Sequence, residues 1–130
     1  MTLADTSAWI ELLRATGSRV NLLTREAIAE GAIATTEPVV MELLAGAGSR
    51  DQQVRIRRLL AGAKLFPIGG LELWENAAAI HRRCRLGGAK IRSQLDCLIA
   101  AVAMREDVPV LHADRDFDRI ALIVPVRVAA

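Results

Sequence analysis

Leu3-Ala4-Asp5-Thr6-Ser7-Ala8-Trp9 joins a short apolar segment to a predicted helix through three polar residues, and this junction indicates the fold class. The apolar residues before Asp5 predict the strand, and Asp5-Thr6-Ser7 supplies side chains that can cap a helix N-terminus. The residues that follow, up to Arg14, predict the helix. A strand that runs directly into a helix is the basic unit of an α/β protein.

The same alternation of strands and helices continues along the chain. Periodic apolar positions predict further helices over Val20–Glu30, Thr36–Ala45, Arg50–Ala63, Leu71–Leu86 and Ser93–Glu106, and a short helical turn at Phe117–Ile120. Short apolar runs predict strands at Ala32–Thr35, Leu65–Ile68, Val108–Leu111 and Ile123–Val126, with Pro67 favouring a sheet edge for the second of these. We therefore expect an α/β fold with a parallel central sheet of about five strands flanked by helices.

Length and composition limit the classes of protein. The chain has 130 residues, 52% of them hydrophobic, which predicts a single domain over residues 1–130. The longest uninterrupted apolar run, Cys97–Met104, is far shorter than a bilayer span, so no membrane segment is expected. An N-terminus without a basic region and two cysteines in apolar or helical context predict a reduced, cytoplasmic protein.

The charged residues are compatible with a nucleic-acid partner. Seventeen Lys and Arg residues face fifteen acids, for a net charge of +2, and only Lys64 and Lys90 are lysines. Arginine presents a planar donor fork that suits phosphate. Aromatic residues make up 3% of the chain and tyrosine is absent, which argues against a base-stacking sheet.

Acidic residues stand where strands end or helices begin. Asp5 closes the first predicted strand and Asp114 follows Val110-Leu111. The structural alternatives are a helix cap for Asp5 and a solvated turn for Asp114. Glu42 interrupts an apolar helix, where it either finds a partner or lies on the exposed edge. Asp96 opens another helix, and the alternative there is a capping box formed with Ser93.

These four acids can converge if the strands are parallel and adjacent, because ligands bind beyond the carboxyl ends of parallel strands. Carboxylates in so small a space raise one another's pKa values, and a divalent cation would resolve the repulsion. Ligation by oxygen alone favours Mg²⁺ or Mn²⁺ over zinc. No cluster of histidine and cysteine competes, since His81 and His112 are isolated in sequence.

The acidic motifs resemble those of a PIN domain, and within that family those of VapC-type toxin ribonucleases. The matching segments, in order, are Leu3–Trp9, Glu37–Gly46, Asp96–Ala101 and Asp114–Ile120. The resemblance implies a PIN-like fold with Asp5, Glu42, Asp96, Asp114 and Asp116 as catalytic acids. It implies Asp5, Asp96 and Asp114 as ligands of Mg²⁺ or Mn²⁺, and Thr6 as a supporting hydroxyl. Whether Asp116 or Asp118 is the additional acid stays open, and His112 departs from the threonine that relatives often carry.

The chemistry implied is hydrolysis of RNA phosphodiester bonds by a water molecule that a metal ion activates. A basic run leads to Asp96 and could position phosphates, the alternative being an ordinary solvated helix face. Its candidate RNA-binding residues are Arg82, Arg83, Arg85, Lys90 and Arg92. The resemblance also implies a VapB-type antitoxin partner, a homodimer and a toxin–antitoxin hetero-oligomer. The alternative function is a non-catalytic PIN-like RNA-binding or scaffold protein, although such a protein would usually have lost an acid.

Overall fold

The computed structural model describes residues 1–129. Its strands are β1 (Thr2–Ala4), β2 (Ile33–Thr35), β3 (Lys64–Leu65) and β4 (Val110–Leu111). Its helices are α1 (Thr6–Leu13), α2 (Arg19–Ala29), α3 (Glu37–Ala45), α4 (Arg50–Ala61), α5 (Leu71–Leu86), α6 (Gln94–Glu106) and α7 (Arg115–Ala121). The alternation of strands and helices confirms the predicted α/β class.

The strands form one parallel sheet in the order β3-β2-β1-β4. In the central pairing, Leu3 is opposite both Ala34 and Val110, and all three side chains are buried. Because every strand runs in the same direction, the carboxyl ends of β1, β2 and β4 lie at one edge of the sheet. Helices α1, α3 and α7 begin within a few residues of those ends, so their first turns lie at the same edge.

Helix α6 is the most deeply buried helix of the described chain. Residues 96–103 are buried without interruption, and α6 packs extensively against α5. The apolar run that is too short for a bilayer is therefore a core helix, which buries its small and branched side chains on all sides. No helix among residues 1–129 is long and apolar enough to cross a membrane.

The fifth predicted strand, Ile123–Val126, does not form. The backbone N–H groups of Ile123 and Val124 donate to the carbonyl of Ile120, so this segment still closes the end of α7. Pro125 also has no N–H to donate to a sheet. Pairing beside β4 begins a few residues later, where Val128 forms a single parallel bridge with Val110. The sheet therefore has four regular strands in the described residues instead of about five.

Two further boundaries differ from prediction for local reasons. Strand β3 is Lys64–Leu65 rather than Leu65–Ile68, because Pro67 ends the pairing soon after the Phe66 N–H donates to Thr35. Its edge position is as predicted. Helix α7 starts at Arg115, two residues before the predicted turn, because the Asp114 side chain caps it.

Candidate active site

The fold brings the predicted acids to the carboxyl edge of the sheet. Asp5 directly follows β1, and Asp114 follows β4 after two intervening residues. Asp96 lies in the first turn of α6 and Asp116 in the first turn of α7. One carboxylate oxygen from each of Asp96, Asp114 and Asp116 can be chosen so that all three lie within 4.8 Å of one another.

Two of the acids cap helices as well. The Asp5 Oδ2 atom accepts hydrogen bonds from the backbone N–H of Ser7 at 3.1 Å and from its hydroxyl at 2.7 Å, which caps α1. The Asp114 Oδ1 atom accepts from the N–H of Asp116 at 2.9 Å, which caps α7. The cap interpretation of Asp5 is therefore correct, and Asp114 is a cap instead of a solvated turn. These caps use one oxygen of each carboxylate, so they do not conflict with a second role.

Asp96 has no such structural explanation. Ser93 makes no side-chain cap hydrogen bond, so the capping box considered from the sequence is absent. The Asp96 side chain is only 6% exposed, and its Oδ2 atom has no hydrogen-bond partner among the described residues. Burial, and then the negative charges of Asp5 and Asp114, raise the pKa of Asp96 to about 8. A buried carboxylate oxygen without a donor is suited to bind a cation.

Glu42 and Thr6 form a pair across the edge of the site. The Thr6 hydroxyl donates to Glu42 Oε1 at 3.2 Å, which links the start of α1 to α3. Glu42 is half-buried, and burial raises its pKa, with the charges of Asp5 and Asp114 acting in the same direction. Burial is also the main reason that the pKa of Asp5 is raised. The structure therefore places the Thr6 hydroxyl in contact with Glu42, whereas the sequence named Thr6 as a supporting hydroxyl without a specific partner.

Asp116 belongs to the cluster, but protein donors hold both of its oxygens. Its side chain is 1% exposed, and Oδ1 accepts from the Arg119 guanidinium at 2.9 Å. Its Oδ2 atom accepts from the backbone N–H of Arg92 at 3.0 Å. Asp118 instead is 63% exposed and lies 3.4 Å from His112 Nε2. Of the two candidates for the additional acid, only Asp116 lies among the other carboxylates.

The contacts of three residues that organise the site were not predicted from the sequence. Ser7 was expected only as one of the residues that can cap α1, and its Oγ atom donates to Asp5 and accepts from the backbone N–H of Ala113 at 2.9 Å. His112 is buried, and its Nδ1 atom accepts from the N–H of Asp114 at 3.1 Å. Arg119 binds Asp116 at i,i+3 spacing, and of the three contacts this is the one that helix periodicity could have indicated.

The predicted basic run divides into two groups. All five side chains are exposed, and Arg82, Arg85 and Lys90 make no side-chain hydrogen bond or ion pair within residues 1–129. Arg83 donates to the carbonyl of Ile123 at 3.4 Å, and Arg92 forms ion pairs with the acids of the cluster. Two residues of the run therefore bind oxygen atoms of the protein, and the other three form an exposed basic surface.

The donors at this edge fit a hard divalent cation. They are carboxylate oxygens, they converge from separate elements, and one of them is a buried oxygen without a donor. Cys84 and Cys97 are both buried free thiols, so neither offers an exposed soft ligand. Carboxylate ligation of this kind suits Mg²⁺ or Mn²⁺.

Comparisons with known proteins agree with this geometry. A family model described as "PIN domain" matches residues 2–123. The chain is 40% identical over 132 aligned positions to ribonuclease VapC11 of Mycobacterium tuberculosis and to VapC ribonuclease Mb1587 of Mycobacterium bovis. Each alignment covers 100% of this chain and 98% of the relative.

Solved structures share the fold over nearly the whole chain. The Rickettsia felis VapBC2 complex with a promoter DNA fragment matches with a TM-score of 0.77 at 15% identity, covering 98% of this chain and 96% of the other. FitAcB from Neisseria gonorrhoeae matches with a TM-score of 0.72 at 25% identity, covering 100% and 97% of the two chains. The predicted family is confirmed: the chain belongs to the PIN-domain family and, within it, to the VapC ribonucleases.

Proposed function

We propose that this chain is a metal-dependent endoribonuclease and the toxin of a type II toxin–antitoxin module. The observation that carries the proposal is the convergence of carboxylate oxygens from Asp96, Asp114 and Asp116, together with the buried, unpartnered Oδ2 atom of Asp96. It occurs in a chain that is 40% identical to proteins named VapC ribonucleases over their full length. A protein that served only as a scaffold would have no need to keep an unpaired carboxylate in its interior.

In this proposal, Asp5, Asp96 and Asp114 hold Mg²⁺ or Mn²⁺, and Glu42 and Asp116 complete the catalytic acids. A divalent ion at this site would lower the pKa of a water molecule and stabilise the negative charge that develops on the phosphodiester. The chain's own groups keep the acids in place. Ser7 orients Asp5, and Thr6 orients Glu42.

The basic surface supports an RNA substrate. Arg82, Arg85 and Lys90 are exposed on the segment that leads into α6, the helix that carries Asp96. Arginines so placed attract phosphates and counteract the repulsion between an RNA chain and the acidic cluster. Arg83 and Arg92 belong to the same predicted group, although both also bind oxygen atoms of the protein.

A VapB-type antitoxin is the partner we propose, together with a homodimer of the toxin and a hetero-oligomer of both. Solved structures that share this fold include VapBC and FitAB complexes. Several large apolar side chains of this chain are also exposed, among them Leu71, Leu86 and Leu122, each at least 70%. Exposed apolar surface of this kind suits a chain that is covered by another protein. We place the protein in the cytoplasm, a prediction that rests on its sequence.

RNA cleavage by the purified chain tests the function. We expect cleavage with Mg²⁺ or Mn²⁺, none with excess EDTA, and none by Asp96→Asn or Asp114→Asn in either metal. Asp51→Asn is the matched control, because Asp51 is an exposed acid in the first turn of α4. Full cleavage in EDTA would remove the metal from the mechanism. Wild-type cleavage by both variants would exclude the cluster as the active site.

Co-purification tests the partner. A VapB-type protein expressed together with the chain should elute with it in size-exclusion chromatography and suppress its cleavage of RNA. Separate elution at micromolar concentrations, with cleavage unchanged, would contradict the partnership and leave the nuclease activity in place.

A further inference from the structure

The side chain of Arg92 lies against the acidic cluster. Its Nη2 atom is 3.4 Å from Asp114 Oδ1, and its Nε atom is 3.6 Å from Asp116 Oδ1. The Arg92 side chain is 74% exposed, whereas those of Asp114 and Asp116 are 27% and 1% exposed. The guanidinium therefore approaches the two carboxylates from the solvent side.

The backbone of Arg92 is held separately from its side chain. Its N–H donates to Asp116 Oδ2 at 3.0 Å, which fixes the loop between α5 and α6. Gly88 in this loop has a φ of +81°, a conformation that glycine adopts readily. Because the backbone contact does not involve the guanidinium, the side chain can leave the acids while the loop keeps its place.

Asp114 has one cation beside it in the described chain. Arg119 binds Asp116, whereas the ion pair with Arg92 is the only one in residues 1–129 that reaches Asp114. Asp114 is also one of the three proposed metal ligands. A guanidinium paired with this carboxylate neutralises part of its charge and occupies space on its solvent side.

We infer that Arg92 is an internal counter-cation of the site, which competes with the divalent ion for Asp114 and so lowers the affinity of the site for metal. The inference rests on the proposed function, since it needs the metal site to exist. In this inference Arg92 acts on the metal only through Asp114. When an ion binds, the exposed guanidinium moves into solvent and the backbone contact with Asp116 remains.

Calorimetric titration with Mn²⁺ tests this inference without any measurement of activity. Arg92→Gln removes the guanidinium, and Arg115→Gln is the matched control. Arg115 is also exposed, adjoins Asp114 in sequence and forms no ion pair in residues 1–129. We expect Arg92→Gln to bind Mn²⁺ about two- to fivefold more tightly than wild type, the range for removing one exposed ion pair. The control should bind with near wild-type affinity, and thermal unfolding establishes that both variants fold.

Each other result has a definite meaning. Equal affinities for wild type and Arg92→Gln would overturn the competition and leave the metal site in place. An equal gain in Mn²⁺ affinity in both variants would also overturn it, because the gain would then come from removing any nearby positive charge and not from the contact between Arg92 and Asp114. Failure of all three proteins to bind Mn²⁺ would overturn the proposed metal site, and this inference with it.

Discussion

Replacing Asp96 with asparagine should stabilise the metal-free protein at neutral and alkaline pH. The substitution keeps the size and shape of the side chain and removes a charge that is 6% exposed and has an unpartnered oxygen. Ionised Asp96 is unfavourable in the metal-free fold because it is buried and lies near other carboxylates. In the unfolded chain, the same group is solvated and ionises freely.

The sign of the effect follows from the pKa of Asp96, which is about 8 in the fold against an ordinary value of 3.8. The folded state binds the proton more tightly, so the group favours folding at low pH. That stabilisation decreases as the pH rises above about 4 and is lost near pH 8, whereas asparagine shows no such change. The variant and wild type should therefore be similarly stable near pH 4. The gap between their unfolding free energies should then widen up to about pH 8.

The magnitude is large for a single side chain. At about 1.4 kcal/mol per pH unit, the whole interval corresponds to roughly 6 kcal/mol. Relaxation of the metal-free site, water that reaches its edge and residual structure in the unfolded chain all reduce this free energy. We therefore expect a gap of about 2 to 3 kcal/mol at pH 8. For a chain of this length it corresponds to a rise in Tm of roughly 6 to 12 °C.

Urea or thermal unfolding in EDTA at pH 5, 6.5 and 8 measures the gap. Asp51→Asn serves again as the control, and its stability should follow that of wild type at every pH. Adding excess Mg²⁺ at pH 8 should stabilise wild type and have less effect on Asp96→Asn, because the variant lacks a ligand. A gap that does not change with pH, or a variant less stable than wild type at pH 8, would refute the reasoning.

Three further predictions address other parts of the site. Asp5→Asn should abolish cleavage without destabilising the fold, since asparagine is an equal cap, whereas Asp5→Ala should lower the unfolding free energy by about 1 kcal/mol relative to Asp5→Asn. The double variant Arg82→Ala, Arg85→Ala should weaken RNA binding and reduce the slope of log affinity against log salt by ~0.7 for each phosphate that is no longer bound. The control Arg25→Ala on α2 should keep the wild-type affinity and slope. Equal slopes for the double variant and wild type would exclude this surface from RNA binding. Burial raises the pKa of Cys97 to about 12, so its thiol should resist alkylation at pH 8 until the protein is unfolded, and rapid labelling of the native protein would contradict the buried position.

The convergence of the acids was predictable because it follows from topology. Once the strands are parallel, residues that follow β1 and β4 must lie at one edge, and Asp5 and Asp114 are such residues. Asp96 was predicted as a member from its position at a helix start and from the resemblance of the Asp96–Ala101 segment, because α6 follows another helix and strand direction does not place its start. The positions of Asp5 and Asp114 need only periodicity and the direction of the strands, and short sequence patterns supply both.

The contacts that hold the acids were not predictable in the same way. Ser7 reaches the backbone of Ala113, a residue more than one hundred positions away, and no periodicity relates the two. The position of Arg92 depends on the path of a glycine-containing loop, so its contact with Asp114 could not be predicted from the sequence. The missing strand at residues 123–126 has a similar cause, because backbone donors there bond to the end of α7.

The acids of the site differ in their structural roles. This difference identifies Asp96 as the acid that is hardest to explain without a metal. Asp5 and Asp114 cap helices, and Asp116 binds Arg119 and a loop, so each would have a structural reason to be acidic in a protein without activity. Asp96 caps nothing, binds no cation in residues 1–129 and destabilises the metal-free fold when ionised. A buried carboxylate whose ionised form disfavours the metal-free fold is explained by the ion that it would bind. The argument for a metal site therefore depends more on Asp96 than on the number of acids around it.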